Sequence, residues 1–133
     1  VWGMRARDPL HLSFEANRVT SDRARFARAQ SLLAENRGIR VAGPTWGWLE
    51  AAWRSMARTT EPGFAETVTT PCLVFGAGRD RIVKTDAIRR FARRLPRGVY
   101  VEIAGAEHEI LMESDFIRAQ FWAAFDAFVA AQS

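Results

Sequence analysis

Thr70-Pro71-Cys72-Leu73-Val74-Phe75-Gly76-Ala77-Gly78-Arg79-Asp80 reads as a buried strand that delivers a carboxylate onto a glycine-rich turn. Cys72 to Phe75 is an unbroken apolar run, opened by a proline that a central strand tolerates only at its first residue, so both faces are expected to be covered. The pattern repeats further on. Val99-Tyr100-Val101-Glu102-Ile103 is strand-like, and Gly105 breaks it before Ala106-Glu107-His108. Between the two, Ala87, Ile88, Phe91, Ala92 and Leu95 fall at helical spacing, with Thr85 or Asp86 as the cap and Pro96 and Gly98 beyond the end. Strand, helix and strand in this length predict a parallel crossover unit. Open parallel sheets gather ligands and catalytic groups outside the carboxyl ends of their strands, where this arrangement places Asp80 and His108. An Asp beside a His can orient the imidazole and stabilise its protonated form.

The two signals upstream are helical. After Thr20-Ser21-Asp22, a capping-type start, Phe26, Ala29, Leu32 and Leu33 recur at helical spacing, and Asn36 to Gly38 mark the end. Pro44 suits the first turn of a second helix, in which Trp46, Leu49, Trp53 and Met56 share one face while Trp48 points elsewhere. This apolar face either packs on a core or covers a hydrophobic ligand. Residues 1–17 mix Trp2, Met4, Leu10, Leu12 and Phe14 with arginines, without a sustained period, and are expected to be an extended lead-in of short strand or loop. His11, which lies there, has no companion motif and is read as an ordinary, partly exposed histidine. Residues 59–70 are turn-rich apart from Phe64. A last helix starts near Ser114 with Ile117, Phe121, Phe125 and Phe128 on one stripe and Trp122 and Val129 beside it.

Composition excludes several classes. A chain of 133 residues with 48% hydrophobic content belongs with folded, globular proteins. The net charge of +4 comes from scattered arginines with acids nearby and forms no basic stripe with interleaved aromatics, so nucleic acid is not an expected partner. Cys72 stands alone and reads as a small strand residue, which rules out an internal disulfide. The two histidines, His11 and His108, have no metal-ligand spacing, and neither a metal nor a cofactor is expected. No apolar run reaches membrane-spanning length and no signal-peptide pattern stands at the front, which makes a cytoplasmic location the default. The chain begins at Val1, and a parallel pair covered on both faces needs more sheet beside it, so the expectation is the C-terminal part of a larger domain.

An aspartate and a histidine on successive strand-end loops, followed by a terminal helix, resemble the last two triad members of α/β-hydrolases, whose chain order is nucleophile, acid, histidine. More narrowly, the His108-Glu109-Ile110-Leu111-Met112 run, Gly43-Pro44-Thr45-Trp46-Gly47-Trp48 and the helix opening at Thr20-Ser21-Asp22 resemble bacterial lysophospholipases related to monoacylglycerol lipases, over residues 17–131. The resemblance implies an α/β fold: two parallel strands with flanking helices, a helical cap over residues 18–60, and residues 61–133 as the C-terminal core segment of an α/β-hydrolase. It further implies ester hydrolysis of a lipid-like substrate. His108 would act as general base and then acid, Asp80 would hold its tautomer, and Trp46, Leu49, Trp53 and Met56 would roof an acyl-chain pocket.

The nucleophile is the missing part. None of Ser13, Ser21, Ser31, Ser55, Ser114 or Ser133 sits in a G-x-S-x-G elbow, and the family's oxyanion-hole segment is absent, so these residues alone are expected to be inactive. Two alternatives stand beside the serine esterase. One keeps the fold with an aspartate nucleophile, as in epoxide hydrolases and haloalkane dehalogenases; the other is a non-catalytic interaction module that buries a bare sheet edge against another chain. Exposed apolar faces also predict self-association.

Overall fold

The computed structural model describes Leu10, residues 12–41 and residues 43–132. His11 and most of the extended lead-in lie outside the described residues. Of that lead-in, residues 14–16 form a turn and Asn17 is buried, 4% exposed.

The centre is a β-α-β unit. Strands β1 (Cys72–Ala77) and β2 (Gly98–Ile103) pair in parallel, with Cys72 opposite Gly98 and Ala77 opposite Ile103, and helix α3 (Thr85–Ala92) makes the crossover. The helix is shorter than its apolar spacing implies. It stops at Ala92, and buried Leu95 lies in the turn that follows. Its N-cap is Lys84, with no side-chain cap, because Thr85 donates its hydroxyl instead to the carbonyl of Ala77 at 2.9 Å. That bond ties the start of the helix to the end of β1. Gly98 is required where the crossover closes on itself. A Cβ there would come within 2.6 Å of the Ala92 carbonyl oxygen and 2.6 Å of the Leu95 Cβ.

Helix α4 (Asp115–Ala130) covers one face of this sheet. Ala77, Ile103 and Ala106 form the buried centre, with Phe75, Val101, Ile110, Ile117 and Phe121 packed against it. The Phe75 and Phe121 rings lie 4.5 Å apart, and Phe121 in turn stacks with Phe125. Gln120 fixes the depth of the helix, accepting from the Ala104 N–H and donating to the Ala104 carbonyl. The covering is partial: Phe128 is half-buried, while Phe125 on the stripe and Trp122 and Val129 beside it are all at least 40% exposed. A sheet of two strands is too narrow to cover the rest. For the same reason, the expected covering of β1 on both faces is only partial: its first four residues, Cys72 among them, are half-buried, and only Gly76 and Ala77 are fully so.

Upstream stand helices α1 (Arg23–Glu35) and α2 (Trp46–Thr60). Asp22 caps α1 by accepting from the Arg25 N–H at 2.9 Å, and Phe26 is buried against Phe14. In α2 the cap is Thr45, whose hydroxyl oxygen accepts from the Trp48 N–H; Pro44 therefore lies ahead of the helix and not in its first turn. Between α2 and β1, Phe64 tilts against Phe91 of α3. Among the described residues no helix is long and apolar enough to cross a membrane.

Gly98→Ala is expected to destabilise the chain by about 1–3 kcal/mol, the usual cost of forcing an atom into a filled site. Urea denaturation measures it, and an unchanged midpoint would refute the close approach at this position.

Candidate active site

Two glycine-containing turns leave the carboxyl ends of β1 and β2 and are stitched to each other. The Gly78 N–H donates to the Ile103 carbonyl at 3.0 Å and the Arg79 N–H to the Ala106 carbonyl at 2.8 Å. Gly105 takes a φ of +80°, a conformation that residues with a Cβ rarely adopt, and this reverses the chain after β2. Buried Ala106 follows, and then the segment carrying His108.

The stitching brings the Asp80 carboxylate to the imidazole. His108 Nδ1 and Asp80 Oδ2 are 2.9 Å apart. The other carboxylate oxygen, Oδ1, accepts from the Ile82 N–H at 2.8 Å and the Val83 N–H at 2.9 Å. All three bonds favour the ionised acid. Burial alone pushes the Asp80 carboxyl up, but the Val83 N–H, the His108 hydrogen bond, the Ile82 N–H and the charge on His108 together hold it below its ordinary value. Because the buried carboxylate can only accept, Nδ1 carries the proton of the neutral ring, and Nε2 is left as the basic nitrogen. The side chains differ in exposure, 3% for Asp80 and 32% for His108. The pair thus joins a buried carboxylate to a partly accessible imidazole.

A second layer of polar groups surrounds this pair, and the sequence pattern gave little sign of it. Arg81, next but one to the β1 turn, donates from Nε to Glu107 Oε2 at 3.0 Å and from Nη2 to the Asn17 carbonyl at 3.2 Å. Glu107 is therefore held by an arginine and does not face the imidazole as a second acid. The stretch Thr20-Ser21-Asp22 does more than cap a helix. Only Asp22 caps; Thr20 donates its hydroxyl to the Met112 carbonyl at 2.7 Å, and Ser21 donates its hydroxyl to Glu113 Oε2 at 2.5 Å. Glu113 is fully buried. In the sequence it passes for a polar residue between two elements, and its only signal is its place directly after the Ile110-Leu111-Met112 run.

Trp46, Leu49, Trp53 and Met56 lie along one face of α2, as their spacing implies. That face is largely exposed: Trp46 is 66%, Trp53 75% and Met56 52% accessible, Leu49 is half-buried, and no residue of the helix is fully buried. Among the described residues, no group of three or more His, Cys, Asp or Glu side chains is placed to hold a metal ion.

Residues 5–115 match the family model described as serine aminopeptidase, S33. Among curated proteins, the chain is 34% identical over 115 residues to lysophospholipase L2 of Escherichia coli strain K12, a match covering 81% of this chain and 33% of that protein. It is 25% identical over 133 residues to a probable lysophospholipase L2 of Haemophilus influenzae, covering 100% of this chain and 41% of that one. The chain therefore spans between a third and two fifths of the length of these relatives. No solved structure gives a significant match.

A carboxylate whose pKa is lowered by folding contributes stability that is present above its unfolded-state pKa and is lost as pH falls through the folded-state value. For Asp80 that window lies on the acid side of the ordinary aspartate value of about 4. Asp80→Asn removes this contribution. The difference in urea midpoint between the two proteins is therefore expected to shrink on acidification through that window, and a difference independent of pH would contradict the assignment.

Proposed function

The chain belongs to the serine aminopeptidase S33 family of α/β-hydrolases, and from that premise we propose that it supplies the acid and the base of a serine hydrolase acting on single-chain lipid esters. The observation that carries this reading is the 2.9 Å bond between His108 Nδ1 and the buried, doubly N–H-bonded carboxylate of Asp80. It leaves Nε2 free to take a proton from an attacking hydroxyl and to return it to the leaving group. Asp80 stays ionised throughout. It holds the ring in the Nδ1–H tautomer and stabilises the imidazolium formed when the nucleophile attacks. The products are an acyl-enzyme and an alcohol, and water activated by the same nitrogen then releases the fatty acid.

The lipid ester is suggested by the names of the lysophospholipase L2 relatives. In this reading residues 18–60 form a helical cap, and the apolar face of α2 with Trp46, Leu49, Trp53 and Met56 covers the acyl chain; a face that exposed is costly to leave in water. The hydroxyl nucleophile comes from the remainder of the α/β-hydrolase, since none of the chain's serines occupies a G-x-S-x-G elbow. The 133 residues on their own are inactive.

The test uses the intact hydrolase that carries this segment. His108→Ala is expected to lower kcat on a lysophospholipid by about a thousandfold or more, as losses of triad members do, with Asp80→Asn close behind. Near-unchanged turnover in His108→Ala would end the reading. The isolated 133-residue chain is expected to self-associate through the exposed faces of α2 and α4. Light scattering that shows a stable monomer at high concentration would refute this.

A further inference from the structure

We propose that Glu113 is a positioning residue for His108, acting through the backbone on both sides of the imidazole together with the Asn17–Ser21 segment. The inference rests on the reading of His108 as the base. Glu113 is an acid with no exposed surface, and burying a carboxylate is costly unless donors surround it. The donors here have a common destination. Oε1 accepts from the Glu107 N–H at 2.8 Å and the Ser21 N–H at 3.0 Å; Oε2 accepts from the Ser21 hydroxyl at 2.5 Å and lies 3.5 Å from the Thr20 hydroxyl. One carboxylate thus joins the residue before His108 to the residue before the α1 cap.

The residue after His108 is bound to the same segment. The Glu109 N–H donates to the Val19 carbonyl at 2.7 Å. The segment is in turn folded on Asn17, whose Oδ1 accepts from the N–H groups of Val19 and Thr20 while its Nδ2 donates to the Thr20 carbonyl at 2.8 Å. Arg81 closes the circuit from the Asp80 side by binding both the Asn17 carbonyl and Glu107. Residues 107 and 109 are therefore both held, and with them the stem of a ring that is itself a third exposed. An apolar side chain of similar volume would fill the Glu113 site without the cost of a buried charge. What it cannot do is accept the Glu107 and Ser21 N–H groups at once.

The experiment is NMR on the intact hydrolase that carries this segment, following the downfield His108 Nδ1 proton bonded to Asp80, with the β1 and β2 amides as a control for the fold. In Glu113→Gln, where an amide oxygen can still accept from Glu107 and Ser21, the resonance is expected to persist. In Glu113→Ala it is expected to be lost while the strand amides stay in place. Persistence in Glu113→Ala would overturn the positioning role and leave the Asp80–His108 pairing intact. Absence in the unsubstituted intact hydrolase would overturn the pairing and the proposed function with it. If Glu113→Ala does not fold, Ser21→Ala decides. Exchange of the Nδ1 proton with water should then rise roughly tenfold, the scale of losing one charge-assisted hydrogen bond from a local opening equilibrium, and an unchanged rate would sink the proposal.

Discussion

The parallel ladder from the Cys72–Gly98 pair to the Ala77–Ile103 pair ends both strands at the same level, and the meeting of Asp80 with His108 depends on that register. Because Ala77 and Ile103 are partners, the next residue of each turn can reach the other, and the Gly78 N–H meets the Ile103 carbonyl. A slip of one residue would turn the side chains of one strand to the opposite face. It would also separate the two turns. Asp80 would then lose the imidazole, and the carboxylate would be buried with two backbone donors and no cation-forming partner. The crossover protects the register at its other end, where Gly98 lets β2 start directly against Ala92 and Leu95.

The site is built in two shells with opposite electrostatic logic. At its centre, one buried carboxylate faces one accessible ring, so the charge of Asp80 is offset by a group able to take a proton. Around it, Glu107 and Glu113 are also buried acids, yet each is occupied: Glu107 by the Arg81 guanidinium, Glu113 by backbone N–H and serine hydroxyl donors. Three acids near one histidine could compete for its proton. Their separate donors prevent this, because each is satisfied before it can reach the ring, and only Asp80 is left facing Nδ1.

The apolar surface follows the opposite rule. Where side chains meet the two-stranded sheet, as Ile117 and Phe121 do, they are packed; where the helices run past it, Trp122, Val129 and the Trp46, Trp53 and Met56 face stay in water. Burial is found at both ends of the β-α-β unit, at Ala77, Ile103 and Ala106 by the site turns and at Ala92 and Leu95 where β2 starts.

The sequence by itself determined the β-α-β unit, its parallel sense and the position of Asp80 and His108 beyond the strand ends. Each of these follows from local signals: an apolar run closed at Gly78, with Gly76 lying inside the strand and not at its end, a second run closed by Gly105, and a helical period between them. It also located α1, α2 and α4, because their periods are long, although Pro44, read as the first turn of α2, lies ahead of its Thr45 cap. It did not determine where α3 ends, since Leu95 keeps the apolar spacing although it packs from a turn and not from the helix. Nor did it reveal the clamp. Glu113, Ser21 and Asn17 are polar residues outside any period, and a polar residue is read as surface unless its partner is known. Those partners lie far away in the chain, Ser21 and Glu113 being 92 positions apart. Only the tertiary structure brings them together, because a hydrogen bond depends on distance and direction in space, while sequence periodicity records only which face a side chain occupies.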